Sequence, residues 1–495
     1  MPNEYLDFAG DYNLNDFKII TATNEALPLR MGIVMELNLY ESIDSKALTG
    51  SMSILDANNM ISNVPLQGNE RLTFEWSTPG AQGELEVIDA TEETGSPFHI
   101  YAITDRKIHS ENVMSYTIHF CSRELMRNAR TRVSRAYDGP LHTAAINILR
   151  DKNFLDTKKR IHFEQTRNSD KLVIPNMRPL DAITFIAEKA LSKNTNGAGY
   201  YFYETVNGFH FRSYESMLAS QGKFARAPKA VLAYQPKQFF NKKDRTIYNM
   251  YNVESYEIMQ HFDSLAQQAM GTYASRVITY NFYDKAYKIA DFNFHNEYNQ
   301  HFHADKIGST YKRNFPITNA PVDSEQKILG TGDRGVSDYP HSRVILQSST
   351  RFLHNEDTGT FGTSTENESK TEAIRVSQEN QVNNSMRVKV VLPGHSNLEA
   401  GDVVEFQLPS LEANKGKKSG YAYDEKHSGR YVIEKCRHRL IKSEYKLILE
   451  LVKDTVYTPH EQGPRNYLGK QERLKGTIDI YREDSNKGLN GTGGL

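Results

Sequence analysis

Met114-Ser-Tyr-Thr-Ile-His-Phe-Cys-Ser122-Arg-Glu-Leu-Met-Arg-Asn-Ala-Arg-Thr-Arg-Val133 is the stretch on which the reading of this chain turns. Its first half alternates. Met114, Tyr116, Ile118 and Phe120 fall on one side and Ser115, Thr117 and His119 on the other, the period of a strand with one face in a core. At Ser122 the period changes. Ser122 stands at an N-cap position, and Leu125, Ala129 and Val133 recur at helical spacing until Asp138-Gly139-Pro140 stops the run. A β unit ends here and a mixed unit begins.

Toward the N-terminus the same alternation covers Ile33, Met35, Leu37 and Leu39, then Leu48, Met52 and Ile54, then Leu72, Phe74 and Trp76. Gly and Pro punctuate the runs, as expected of an antiparallel barrel or sandwich, so residues 1–121 are predicted as a first β-barrel domain. Residues 122–245 read as a mixed α/β domain. A second helix is predicted over Leu141–Lys152 and a third after Arg178-Pro179, with Ile183, Ile186, Ala187 and Leu191 on one stripe. An aromatic hairpin runs from Tyr200 to Phe211, its turn assigned to Asn207-Gly208.

Alternation then returns in two blocks, 246–306 and 385–456, predicted as a second, split barrel. The first places Ile278, Tyr280 and Phe282 on one face, after a helix-compatible connector over Phe262–Thr272. The second runs through Val388, Val390 and Leu392, Val404, Phe406 and Leu408, Tyr431 and Ile433, and Tyr445 to Leu451. Between them, residues 307–384 are a polar insertion, most extreme over His354–Lys370, too poor in apolar side chains to offset its own ordering entropy. Residues 457–495 read as a loose tail. The predicted class is mainly β with an α+β middle domain.

Composition narrows the function classes. The 495 residues carry 60 Lys and Arg against 61 Asp and Glu, a net charge of −1, so no global field draws the chain to nucleic acid or anionic lipid. The N-terminus is polar and acidic rather than signal-like, and no apolar run reaches the roughly 20 residues of a membrane helix. The 2 cysteines, Cys121 and Cys436, fall in strand-like runs and read as buried free thiols.

Candidate chemistry is sparse. Gly330-Thr-Gly332-Asp-Arg-Gly335 matches a dinucleotide fingerprint in letters but lacks the strand before and helix after it, so it reads as a turn. His295, His301, His303 and Asp305 are the main metal candidates: on a strand His301 and His303 share a face with Asp305, which would suit a metal-dependent hydrolase. The competing reading is a polar strand end. Lys223, Arg226, Lys229, Lys237, Lys242, Lys243 and Arg245, interleaved with Phe224, Tyr234, Phe239 and Phe240, are read as a linker or acidic-partner patch ahead of a nucleic-acid track. Lys415, Lys417 and Lys418 read as a charged hairpin tip. No catalytic, cofactor or metal residue is assigned.

Several segments, taken in order, resemble the baseplate central hub subunit of contractile-tailed bacteriophages, related to the N-terminal part of type VI secretion spike proteins. They are Phe120 to Tyr137; Ile174-Pro-Asn-Met-Arg-Pro-Leu-Asp-Ala-Ile183 with the hairpin Tyr200 to Phe211; Leu398-Glu-Ala-Gly-Asp-Val-Val-Glu-Phe406; Ser428-Gly-Arg-Tyr-Val-Ile-Glu-Lys435; and Tyr445 to Leu451. The resemblance implies a non-enzymatic virion protein with two tail-tube-like β-barrels. In that family three copies form a ring that adapts a six-fold tube to a three-fold spike and lets DNA pass without sequence-specific binding. Tube or tube-initiator proteins, the spike and neighbouring baseplate proteins would be the partners, with no cofactor and no membrane insertion. Its place would be the tail baseplate of a virion assembled in the host cytoplasm.

Overall fold

The computed structural model describes residues 8–454, apart from 80–86, 219–226, 235–249, 305–335, 349–352, 356–359, 410–423 and shorter breaks. The alternating runs of the first unit form antiparallel strands β1 (Asn13–Ile20), β2 (Ala26–Pro28), β3 (Val34–Ser42), β4 (Thr49–Asp56), β5 (Arg71–Ser77), β6 (Ile88–Asp89), β7 (Phe98–Ser110) and β8 (Val113–Cys121). Met52, Ile54, Leu72, Phe74, Trp76, Tyr116, Ile118 and Phe120 all point into the core, as their parity predicts. Met35 does not. The register of β3 against β4 slips between Val34 and Glu36, a bulge that exchanges the two faces, so Val34 is buried and Met35 exposed.

Helix α1 (Arg123–Arg130) begins where the period changes but is shorter than predicted. Val133–Pro140 is strand β9, paired antiparallel with β10 (Ser169–Met177), which buries Val133 and overrides the helical spacing. The buried face of α1 is Glu124 and Asn128, not the Leu125–Ala129 stripe. Helices α2 (Leu141–Arg150) and α3 (Pro179–Ala187) stand where the sequence places them, and bury Ile148, Leu149, Ile183 and Ile186 against the hairpin β11 (Tyr200–Thr205) and β12 (Gly208–Ser213). The hairpin turn is Val206-Asn207 rather than Asn207-Gly208, since Thr205 pairs with Gly208. Gly208 alone of that pair takes a positive φ, 125°, and a Cβ there would lie 2.3 Å from the Arg160 carbonyl oxygen.

The second unit adds β13 (Ala230–Ala233), β14 (Ser255–Gln260), helix α4 (Ser264–Ala269), β15 (Ala274–Asn281), β16 (Ala286–Asn293), β17 (Val344–Ser348), helix α5 (Thr365–Asn384), β18 (Met386–Pro393), β19 (Val403–Gln407), β20 (Gly429–Ile441) and β21 (Glu444–Lys453). Most of it is continuous with the first. β20 pairs with β19 through Val432 and then, from Lys435 to Ile441, hands the same edge to β3, giving one 14-stranded sheet across both β units. A single apolar cluster runs beneath it, from Ile19 and Phe120 to Val388 and Leu451.

Two expectations change. β15 and β16 lie outside that sheet and form a separate three-stranded one with β17, in which Val277 and Thr279 are buried while Tyr280 is exposed. The expected inward face is therefore the outward one; Phe282 lies outside the described residues. Within the span expected to be loose, β17 pairs with β15, and α5 packs on the opposite face of that sheet through Ala373, Ile374 and Ser377. Intramolecular docking of a weakly apolar face supplies what its own propensity lacks. No helix among the described residues is long and apolar enough to cross a membrane.

Candidate functional site

The aromatic hairpin is a wedge between the two β units, and buried polar groups hold it on three sides. On the first side, Glu204 at the inward parity of β11 is fully buried. It accepts hydrogen bonds from the Leu48 N–H (2.8 Å) and the Ser122 hydroxyl (2.7 Å), and takes the Lys159 ammonium at 2.6 Å. Ser122 caps nothing with its side chain; its hydroxyl is spent on Glu204. Lys159 also reaches Glu124 at 3.4 Å, and Glu124 accepts from Thr157 at 2.6 Å. Burial pushes Glu204 up, while for Glu124 the Lys159 charge and the Thr157 hydroxyl outweigh burial and bring it down. Lys159 itself is raised, because two carboxylates overcome its desolvation. Asn128 completes this side by accepting the Leu180 N–H at 2.8 Å, capping α3 from outside.

On the second side, the turn meets both β units at once. Glu41 of β3 accepts the Val206 N–H and the Ala400 N–H, each at 2.9 Å. Asn207 donates to Glu399 (2.9 Å), and Lys229 pairs with Asp402 (3.0 Å). Burial, with Glu399 nearby, pushes Glu41 up to about 8. Burial and Asp402 push Glu399 up to about 7.

On the third side, Gln378 of α5 accepts the Ala198 and Gly199 N–H groups at 3.0 and 2.9 Å and donates to Glu215 at 2.5 Å. His301 donates to the same Glu215 through Nδ1 and lies 3.8 Å from Glu297 through Nε2. His303 turns elsewhere: Nδ1 bonds Asp454 at 2.6 Å and Nε2 faces the Tyr298 carbonyl at 3.1 Å. The two histidines therefore do not converge, and both ring nitrogens of His303 already have partners of their own. Asp305 and the side chain of His295 lie outside the described residues, as do the Gly330–Gly335 motif and Lys415, Lys417 and Lys418. Of the basic and aromatic run, Lys229 is held by Asp402 and Tyr234 packs on Tyr256; Lys223, Phe224, Arg226, Lys237, Phe239, Phe240, Lys242, Lys243 and Arg245 lie outside. Both cysteines are buried and free.

What this arrangement does chemically is join. Its hydrogen bonds run across element boundaries. A cavity of about 430 Å³ opens beside the wedge, lined by Leu48, Ile88, Phe98, Lys158 and Arg160. The joining residues were readable in part: Glu41 shares the parity of Leu37 and Leu39, and Glu204 that of Phe202, so each is a charge at a core position. Their partners across the chain carry no such signal.

No protein-family model matches this sequence, and no curated protein does. Some solved structures are similar to it over most of its length, each at a TM-score below 0.5. A tail protein from Neisseria meningitidis MC58 is similar at 10% identity and a TM-score of 0.47, over 91% of this chain and 98% of that one. The 43 kDa tail protein of prophage MuSo2 from Shewanella oneidensis gives 8% and 0.47, over 89% and 99%. An E. coli component of the type VI secretion system, described as structurally similar to T4 bacteriophage tail proteins, gives 8% and 0.39, over 90% and 79%. The structural neighbours are thus tail and type VI secretion proteins.

Proposed function

We propose that this chain is a structural subunit of a phage tail baseplate, a homotrimeric hub that adapts a six-fold tube to a three-fold spike and encloses part of the DNA channel. The observation that carries the reading is the edge-to-edge fusion of two β units through β3 and β20. A ring of three copies with six tube-like bodies needs one chain to hold two such bodies rigidly side by side, each presenting a different surface to its neighbours. The segments that resemble hub subunits fall at the joints: Ser122, Glu124 and Asn128, the hairpin, the turn before Asp402, and β20. The near-zero net charge suits a wall past which DNA slides. The hydrolase alternative through His301, His303 and Asp305 draws no support from two histidines committed to different carboxylates.

The test is the assembly state of the full chain, alone and with a spike partner, by light scattering and negative-stain microscopy. Three-copy rings are expected. Monomers under both conditions would defeat the hub reading.

A further inference from the structure

At the seam between the β units, three buried metal-ligating side chains meet. Cys436 and His438 are two residues apart on β20 and share its inward face, and the β3 register places Glu41 directly across from Cys436. All three are buried, and one donor atom of each lies within 4.8 Å of the others. Cys436 Sγ and His438 Nε2 are 3.4 Å apart. Bonds of about 2.3 Å to sulfur and 2.0 Å to nitrogen, meeting at a tetrahedral angle, put those atoms roughly 3.5 Å apart.

The surroundings orient the donors. The Tyr445 hydroxyl donates to the His395 carbonyl at 3.0 Å, so His438 Nδ1, 2.7 Å from that hydroxyl, must be the protonated nitrogen. The bare lone pair on Nε2 then faces the thiol. Two backbone N–H groups fix the Glu41 carboxylate, leaving one lone pair on each oxygen. Such outer partners are what a metal ligand set needs. One side chain further on, across Tyr445, the fully buried His395 has no partner for either ring nitrogen among the described residues.

We propose that Glu41, Cys436 and His438 form a structural site for a divalent transition metal, zinc by its sulfur, nitrogen and oxygen donors, that pins the two β units together. Thiol and carboxyl each lose a proton on binding, and the resulting thiolate and carboxylate neutralise the 2+ ion, which removes the electrostatic objection to a charged site in a core. The site is independent of the hub reading, since a pinned seam serves any function of the two units.

The chain contains a single tryptophan, Trp76, whose ring centre is 5.8 Å from that of His438, so it reports on the site directly. The full chain is refolded from urea with Co²⁺ or Zn²⁺ alone. About one metal per chain by elemental analysis, a thiolate-to-cobalt charge-transfer band and quenching of Trp76 by Co²⁺ but not Zn²⁺ are expected. Cys121→Ser should keep the band and Cys436→Ser should abolish it. If Cys436→Ser does not fold, the wild-type chain still decides: folded protein with less than about a tenth of a metal per chain and no cobalt band overturns the proposal, leaving a hydrogen-bonded Cys436–His438 pair. Metal that persists without the charge-transfer band would place it elsewhere and overturn the proposal equally.

Discussion

Lys159 serves two buried carboxylates, Glu204 and Glu124, from different elements, so its removal strands negative charge in the core. Lys159→Met is expected to cost about 3–5 kcal/mol, read as a lower urea midpoint, and Lys159→Met with Glu204→Gln should recover part of the loss. No recovery would mean that the lysine acts through packing alone. At His301, burial opposes protonation, but Glu215 and Glu297 together raise its pKa from 6.5 to about 9. Lys370 faces Glu297 from α5, and the neutral Gln378 shares Glu215. Protonated His301 thus stabilises the native state in full below about pH 6.5, and the contribution is lost as pH rises through about 9. Hydrogen exchange around Tyr298–Ala304 should speed up across that window in wild type, and His301→Gln should flatten the profile.

At the scale of elements, the seam raises the question of what holds β3 to β20. Glu36 reaches Arg437 and Arg439, each at 2.9 Å, but all three side chains are 26–36% exposed, where ion pairs are worth about 0.2–1 kcal/mol. Leu37 lies opposite Leu440, both fully buried. Leu37→Ala is therefore expected to cost about 2–5 kcal/mol and Glu36→Gln less than about 1 kcal/mol in chemical denaturation. The reverse order would show that surface charge holds the seam. Helix α5 teaches a related lesson: its sequence, rich in Glu, Asn, Gln and Ser, has little apolar signal, yet Ser369 bonds Thr279 (2.6 Å) and Ser377 bonds the Thr272 carbonyl (2.7 Å) in buried positions. Helices docked by polar pairs leave no stripe for periodicity to detect.

For the whole molecule, the shared core implies shared stability. Trp76 sits in the first unit with its ring 4.6 Å from that of Tyr445 in the second, so its fluorescence senses both. Urea unfolding followed by Trp76 and by hydrogen exchange of β18 and β21 should give coincident transitions. Midpoints separated beyond error would show two independently folding units and weaken the rigid-pair argument for a ring.

Period-two alternation alone determined the strands β4, β5, β8, β18 and β21 and the burial of their apolar faces, because a strand with one face in a core admits a single parity. Apolar spacing likewise placed α2, and Pro179 in the first turn placed α3. Four outcomes belonged to the tertiary structure. Val133–Pro140 became a strand because β10 was there to pair with it; β15 turned its expected face outward because α5 covers the other. Alternation predicted two separate β units, but only the pairing of Cys436 with Glu41 and its neighbours made them one sheet. That same pairing, between residues nearly the whole chain apart, assembles the Glu41, Cys436 and His438 cluster. Parity shows which way a side chain points, whereas its partner depends on a long-range register that local sequence does not encode.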